Sequence, residues 1–194
     1  MQKRHFLSLS AASGLLLPAL SARAEAQADE PVLLTVSGAV GKPNRGPVDH
    51  VVDQMMGKHG IEFTQATTFT ASALARLPAV SIQPTLEYDN KPHQLSGPLL
   101  TTVLQAAGVG LNPARTIELR AVDGYNVALT VAEIQDRNMI VATRLDGRPM
   151  ALGGFGPQWG VYDPAKVTTL KGKTLSEGFA KAPWGLYHIG AKAL

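Results

Sequence analysis

Apolar residues along this chain gather in short runs that are rich in β-branched side chains and that end at turn-forming pairs. Such runs predict β-strands, because branched and apolar side chains fit a half-buried pleated surface. Asp-Gly and Asp-Asn pairs follow or separate several of the runs and predict tight connections. The predicted strands cover residues 32–40, 61–64, 116–122, 125–130, 139–145 and 184–189.

A hairpin is predicted around Asp89-Asn90, where residues 79–88 and residues 91–95 flank the turn pair. Pro84 lies within the first of these strands and has no backbone N–H to donate. We therefore expect the first strand at a sheet edge or at a bulge.

The clearest helical pattern covers residues 98–107, PLLTTVLQAA, in which apolar side chains recur at the 3.6-residue spacing of one helix face. Pro98 suits the first helical position, and Gly108 suits the position just after the end. Shorter helical segments are predicted over residues 48–56, 69–77 and 174–181.

Threonine side chains mark three helix starts. Thr70 can cap the segment over residues 69–77 by accepting a hydrogen bond from a backbone N–H of the first turn. Thr130 with Glu133, and Thr174 with Glu177, match the capping box, in which the two side chains accept from backbone N–H groups reciprocally.

Short strands separated by small helices predict an α+β protein, a single mixed-sheet domain with short helices around an open or barrel-like sheet. Residues 1–24 are predicted to be a signal peptide, because a basic start precedes a short apolar run and an Ala-Arg-Ala cleavage site. The domain is then expected over residues 25–194, in the periplasm and without a membrane span after cleavage. A retained N-terminal anchor is the alternative.

The charge of the chain gives no support for nucleic-acid binding. The 194 residues carry 18 basic and 15 acidic side chains, a formal net charge of +3. Three of the basic residues, Lys3, Arg4 and Arg23, lie in the predicted leader, which has no acidic residue. The remaining chain is formally neutral and has no basic excess with which to attract a polyanion.

Several kinds of catalytic chemistry are excluded by the residues that the sequence lacks. It has no cysteine, and therefore no disulfide, thiol nucleophile or thiolate metal ligand. It also has no G-x-S-x-G motif, phosphate-binding loop or dinucleotide fingerprint. The histidines after the leader do not follow metal-ligand spacing, and no metal is expected. They are His50, His59, His93 and His188.

Residues 153–164, GGFGPQWGVYDP, form the most distinctive segment, which we call the aromatic loop. Its glycines permit close backbone approach, and its prolines stiffen the chain. Because three large aromatic rings would be costly to leave in solvent, we predict an ordered loop that packs on the core or forms one wall of a ligand pocket. A purely structural loop that closes one end of a sheet is the alternative.

Six side chains at strand ends or in the aromatic loop are the candidate ligand-binding residues. Each also has a structural alternative, as a turn residue, a solvated strand residue or a core aromatic with one polar end. Trp184 and Tyr187 are assigned to the core instead, because they alternate with apolar residues. The six candidates are Asp123, Tyr125, Arg144, Gln158, Trp159 and Tyr162.

Four segments combine apolar, glycine and charged residues in a characteristic order. They read S-G-P-L-L-x-x-V-L-x-x-A-G at residues 96–108, D-G-Y-x-V-x-L at 123–129, A-T-R-L-D-G-R-P-M at 142–150 and G-x-G-P-x-W-x-V-Y-x-P at 154–164. Together they resemble the sulfite-oxidase-like molybdopterin-binding domain, over residues 32–164. The resemblance implies that family's fold and the binding of an organic pterin that carries molybdenum.

Two departures from the family concern the cofactor. In the family's oxidases a cysteine thiolate of the protein holds the metal, and this chain has no cysteine. Gln158 and Trp159 stand where a basic residue usually follows the G-x-P of the oxidases. These departures argue against molybdenum redox chemistry, but aromatic and polar side chains could still bind a flat pterin ring.

Small exported proteins of this kind that lack the cysteine look like periplasmic pterin-binding regulators. The resemblance implies a non-catalytic module that binds a pterin or molybdopterin-like ligand and reports it to the periplasmic part of an inner-membrane cyclic di-GMP enzyme. Two alternatives remain, a molybdopterin-dependent oxidoreductase with a non-cysteine metal environment and a scaffold that kept the fold and lost the ligand.

Overall fold

The computed structural model describes residues 30–194, in which eleven short strands form three sheets. The strands are β1 Val32–Gly38, β2 Ala66–Thr70, β3 Ala79–Ile82, β4 Leu95–Pro98, β5 Thr116–Ala121, β6 Asn126–Thr130, β7 Ile140–Ala142, β8 Arg144–Leu145, β9 Arg148–Pro149, β10 Trp159–Val161 and β11 Leu186–Ala191.

A five-stranded mixed sheet, in the order β2-β1-β11-β5-β6, is the largest of the three. Strands β1 and β11 pair in parallel, with Thr35 opposite His188, and the other pairings are antiparallel. The second sheet has the order β3-β4-β8-β9, and the third consists of β10 paired with β7. The prediction of a mixed α+β fold with short helices is confirmed, with the strands divided among three sheets.

Within residues 30–194, five short α-helices connect the strands. They are α1 Gln54–Lys58, α2 Ala71–Ala75, α3 Leu100–Ala106, α4 Val131–Asp136 and α5 Leu175–Phe179. The capping boxes predicted at Thr130 and Thr174 are both present. Thr70 caps α2 by accepting from the backbone N–H of Ala73 at 3.2 Å.

The two faces of the five-stranded sheet have different chemistry. Leu34, Leu119 and Ile189 are fully buried on the face that packs against the core. Since successive side chains of a strand point to opposite faces, their neighbours lie on the outer face. His188 is one of these buried polar neighbours, and Phe63 stacks on its ring with the centroids 6.5 Å apart.

The helix predicted over residues 98–107 begins two residues later than expected. Pro98 is the last residue of β4, where it pairs with Ala79, and α3 begins at Leu100. The backbone N–H of Leu100 donates to the carbonyl of Met139 at 2.8 Å, so the helix start is bound to the residue preceding β7. A tertiary contact therefore overrides the local preference of proline for the first helical turn.

Other element boundaries also differ from the predictions. Residues 61–64 form no strand, and the run over 139–145 divides at Thr143, whose N–H donates to the carbonyl of Ser96. The last strand begins at Leu186 instead of at residue 184. The helical segment predicted over 48–56 is displaced to α1 at residues 54–58, and the segment predicted over 69–77 shortens to α2.

The predicted signal peptide lies outside the described residues. Among residues 30–194, no helix combines the length and the apolar character needed to cross a bilayer.

Candidate functional site

The aromatic loop is ordered and largely buried, as predicted. Its residues Trp159–Val161 form β10, which pairs with β7, and Trp159 is only 1% exposed. The loop contains a cis peptide bond between Gly156 and Pro157. A β-carbon at Gly156 would lie 2.3 Å from the carbonyl oxygen of Met150, and so only glycine fits this close approach.

A cleft of about 400 Å³ lies beside this loop, and we call it the aromatic cleft. Its volume is within the range of about 300–1,000 Å³ that is typical of small-molecule sites. The turn before β11, the turn between β5 and β6, the segment after β3 and the end of α5 all contribute. The side chains that define it are Glu87, Tyr88, Asp123, Tyr125, Trp159, Phe179 and Trp184.

Three aromatic side chains of the aromatic cleft are exposed to solvent. Tyr88 is 56% exposed, Tyr125 is 48% exposed and Trp184 is 38% exposed. Large exposed aromatic surfaces that converge on one concave site are available to stack on a ligand ring. The assignment of Trp184 to the core is therefore wrong, whereas Tyr187 is buried as predicted.

Trp159 forms the floor of the aromatic cleft. Its ring stacks on Phe155, with the centroids 4.7 Å apart and the planes 16° from parallel. Its indole N–H donates to the carbonyl of Ala182 at 2.8 Å. The indole N–H of Trp159 is thus already hydrogen-bonded within the fold. Trp159 contributes only a small exposed part of its ring surface to the cleft.

Two carboxylates lie among the exposed rings. Asp123 accepts a hydrogen bond from the backbone N–H of Tyr125 at 2.9 Å, which fixes the Asp-Gly turn. The Tyr125 hydroxyl donates to the carbonyl of Ala180 at 2.5 Å, so that this ring is held against the end of α5. Partial burial, and next the charge of Glu87, raise the pKa of Tyr88, which places the second carboxylate close to that hydroxyl.

A histidine clasp holds the turn that carries Tyr88. His93 Nδ1 lies 2.7 Å from Asp146 and its Nε2 lies 2.9 Å from Asp89. Hydrogen bonds to the two carboxylates, first that of Asp146, raise the pKa of His93, and the imidazole in turn lowers the pKa of both aspartates. The clasp ties the Tyr88 turn to the connection between β8 and β9.

The structure does not bring all six predicted residues together. Asp123, Tyr125 and Trp159 line the aromatic cleft, whereas Arg144 and Gln158 line a separate pocket of about 300 Å³. The amide Nε2 of Gln158 donates to the carbonyl of Leu33 at 2.5 Å. Arg144 is exposed, and its guanidinium donates to the carbonyl of Gly147 at 3.0 Å.

Tyr162 lies in neither pocket. It is 1% exposed, its hydroxyl donates to the carbonyl of Gly178 at 2.7 Å, and burial raises its pKa. The guanidinium of Arg137 lies 5.6 Å from the centre of its ring. These contacts make Tyr162 a packing residue that links the aromatic loop to α5.

Sequence reasoning missed Glu87, Tyr88 and Trp184 as members of the site. Glu87 and Tyr88 directly precede the predicted Asp89-Asn90 turn. Because turns lie at the surface and often carry functional residues, an aromatic residue beside this turn was the sequence feature that could have indicated the site. Within residues 30–194, no group of three or more histidine, aspartate or glutamate side chains could hold a metal ion.

Comparison with known proteins gives a match at the level of structure. No protein-family model matches the chain, and no curated protein sequence does. A solved structure, that of the sulfane dehydrogenase SoxCD from Paracoccus pantotrophus, matches with a TM-score of 0.53 and 13% sequence identity. The match covers 82% of this chain and 37% of the SoxCD chain. At this identity the similarity is one of fold, shared with part of an oxidoreductase.

Proposed function

We propose that this chain is a pterin-binding module without catalysis of its own. The observation that supports it best is the aromatic cleft, where the exposed rings of Tyr88, Tyr125 and Trp184 surround the carboxylates of Glu87 and Asp123. A pterin is a flat heterocycle whose amino-pyrimidinone edge carries adjacent N–H donors. Aromatic faces can stack on such a ring, and a carboxylate can accept both donors at once.

The fold supports a ligand of this class. The four sequence motifs, of which the last lies in the aromatic loop, resemble a molybdopterin-binding domain. The structural similarity to a sulfane dehydrogenase agrees with an oxidoreductase-like fold. In this proposal the organic ring of the cofactor binds in the aromatic cleft, where Trp184 and Tyr88 would stack on it and Asp123 would bind its donor edge. The thiolate that holds the metal in the oxidases has no counterpart, because the chain has no cysteine.

In this proposal the module works in the periplasm and reports the bound pterin to an inner-membrane signalling enzyme. The predicted leader supports export, and the resemblance to pterin-binding regulators supports a cyclic di-GMP enzyme as partner. Binding could be transmitted if the ligand changed the exposed turn at Tyr88 or the segment at Trp184, since both lie at the surface.

Titration of the purified protein with a tetrahydropterin and with the corresponding oxidised pterin tests the proposal. Tryptophan fluorescence should be quenched in a saturable way, because the exposed indole of Trp184 would stack on the ligand and Trp159 lies at the floor of the same cleft. Asp123→Asn should weaken binding about tenfold by calorimetry, because it removes the charge that accepts the donor edge.

The matched control is Asp136→Asn, which removes the same charge from an exposed position at the end of α4. It should leave pterin affinity unchanged. Absence of saturable binding by either pterin would contradict the proposal, and equal affinity of the two variants would exclude Asp123 from the site.

A molybdopterin-dependent oxidoreductase with a non-cysteine metal environment is the second candidate, favoured by the fold shared with a sulfane dehydrogenase. Elemental analysis of protein expressed in a host that makes the cofactor decides between the two. Stoichiometric molybdenum that remains bound through purification would support the enzyme, whereas a metal-free pterin released on denaturation would support the binding module.

A further inference from the structure

The outer face of the five-stranded sheet carries a second site, which we call the polar cleft. Strand pairing aligns His188 of β11 with Arg120 of β5, and Arg120 with Asn126 of β6. Together with Ser37 of β1 and Lys192, these side chains line a cleft of about 330 Å³. None of them lines the aromatic cleft.

A buried serine–histidine pair forms one wall of the polar cleft. Ser37 Oγ lies 2.9 Å from His188 Nε2, and the two residues are 4% and 5% exposed. Burial, then the charges of Arg120 and Lys192, lower the pKa of His188 to about 4, so the imidazole is neutral at pH 7. Its second nitrogen, Nδ1, has no hydrogen-bond partner within residues 30–194.

The pair retains one hydrogen-bond donor in either tautomer. If Nε2 accepts from the Ser37 hydroxyl, Nδ1 carries the proton and is free to donate. If Nε2 carries the proton and donates to Ser37, the hydroxyl hydrogen is free to donate instead. A donor that lines the cleft and has no partner within the fold is available to an acceptor group of a ligand.

Arg120 supplies a positive charge that no carboxylate pairs directly within residues 30–194, although Glu62 and Glu118 also line the cleft. Its guanidinium makes one long hydrogen bond, at 3.4 Å, to the carbonyl of Gly124. In the part of the chain that the structure describes, no carboxylate lies at salt-bridge distance from it, and the nearby Glu118 pairs with Lys192 at 3.1 Å. A half-buried guanidinium with open donors is a typical receptor for a planar or tetrahedral oxyanion.

We propose that the polar cleft binds a small oxyanion, a carboxylate, sulfate or phosphate group, between Arg120 and the Ser37–His188 pair. The guanidinium neutralises the charge of the anion, and the remaining donor of the pair supplies a directed hydrogen bond. Asn126, exposed at the cleft rim, adds an amide donor. This site does not depend on pterin binding, because the two clefts share no residue.

The test is an NMR titration of the full-length protein with inorganic phosphate, sulfate and acetate at constant ionic strength, which follows the imidazole carbon signals of His188. We expect saturable shifts at His188 with at least one of the three anions. Preference for acetate would identify a carboxylate ligand, and preference for phosphate or sulfate would identify a tetrahedral one. Linear, non-saturating shifts with all three anions would overturn the proposal.

Two substitutions with a matched control test the assigned residues. Arg120→Gln should weaken anion binding about tenfold or more, because a charge-assisted hydrogen bond is lost. Arg148→Gln removes the same charge from an exposed residue of β9 and should leave binding unchanged. Equal effects of the two substitutions would show that only the overall charge matters and would overturn the proposal.

The Asn126→Asp variant provides a second test in case the Arg120→Gln protein does not fold. Residue 126 is exposed, so this isosteric change leaves the packing intact and places a negative charge at the cleft rim. Anion binding should be abolished while the circular dichroism spectrum and the urea midpoint of the protein are retained. Undiminished anion binding by a folded Asn126→Asp protein would place the anion elsewhere and contradict the proposal.

Discussion

At the scale of single residues, the direction of a side chain decides its role more than its chemical type does. Gln158 and Trp159 are neighbours in the chain, but consecutive side chains of an extended segment point to opposite sides. Trp159 therefore lines the aromatic cleft, while Gln158 lines the pocket on the other side of the loop. Because residues 153–164 were predicted to form a loop and not a strand, this alternation was not expected, and the two residues were assigned to one site.

The histidine clasp predicts a titration at the scale of a residue. Because the pKa of His93 is raised, its protonated form stabilises the fold below the ordinary value of 6.5, and this contribution is lost as the pH rises through the raised value. The contribution of Asp89 and Asp146 to stability depends on pH in the opposite direction. Because the pKa of each aspartate is lowered, this contribution is lost as the pH falls through the lowered values.

NMR titration of His93 should thus give a midpoint above 6.5. Asp146→Asn should lower that midpoint, because it removes the carboxylate with the largest effect on the histidine. Asp136→Asn, at the end of α4, is the control and should leave it unchanged. A midpoint at or below 6.5 in the unmodified protein would contradict the structural interpretation of the clasp.

At the scale of elements, close backbone approach fixes how the sheets meet. Gly97 of β4 lies so near β7 that a β-carbon there would be 2.0 Å from the carbonyl oxygen of Val141. The backbones of the two strands cannot separate without loss of the surrounding core, in which Leu95 and Val141 are fully buried. The glycine is therefore required by the distance between strands and not by the geometry of a turn.

Gly97→Ala should lower the free energy of unfolding by about 3 kcal/mol or more, because the added methyl group forces two buried strands apart. Gly110→Ala is the matched control, since a β-carbon at residue 110 meets no atom within 4 Å. That change should alter stability by no more than about 0.5 kcal/mol. Urea denaturation of both variants measures the difference, and equal midpoints would contradict the described approach of β4 to β7.

The elements with local sequence signals were predicted well. Strands β5 and β6, the Asp-Gly turn between them and both capping boxes depend on residues a few positions apart, and the structure confirms them. The membership of the aromatic cleft depends instead on how three distant turns meet. Trp184 was assigned to the core because its neighbours in the sequence are apolar. The strand begins only at Leu186, so Trp184 lies in the preceding segment.

At the scale of the whole molecule, the aromatic cleft joins parts that belong to different sheets. Tyr88 lies in the connection between β3 and β4, Asp123 lies in the turn between β5 and β6, and Trp184 precedes β11. A ligand that contacts all three would connect the four-stranded sheet with the five-stranded sheet. Binding energy would then add to the stability of the contact between them.

Hydrogen exchange should detect this connection if the proposed pterin binds. Amides in residues 87–91 and 122–125 should exchange more slowly when the ligand is present, because their local opening would require its release. Amides of α1, which contributes nothing to the aromatic cleft, should be unaffected. Slowing confined to one of the two turns would contradict a ligand that bridges the sheets.

The parallel pairing of β1 with β11 has a consequence for how the chain folds during synthesis. One edge of β1 is completed by β2, but its other partner is the last strand, more than a hundred residues later. The central position of the largest sheet therefore stays incomplete until β11 has left the ribosome. Until then, β1 lacks its pairing with β11, and its buried apolar side chains have one neighbouring strand of the sheet instead of two.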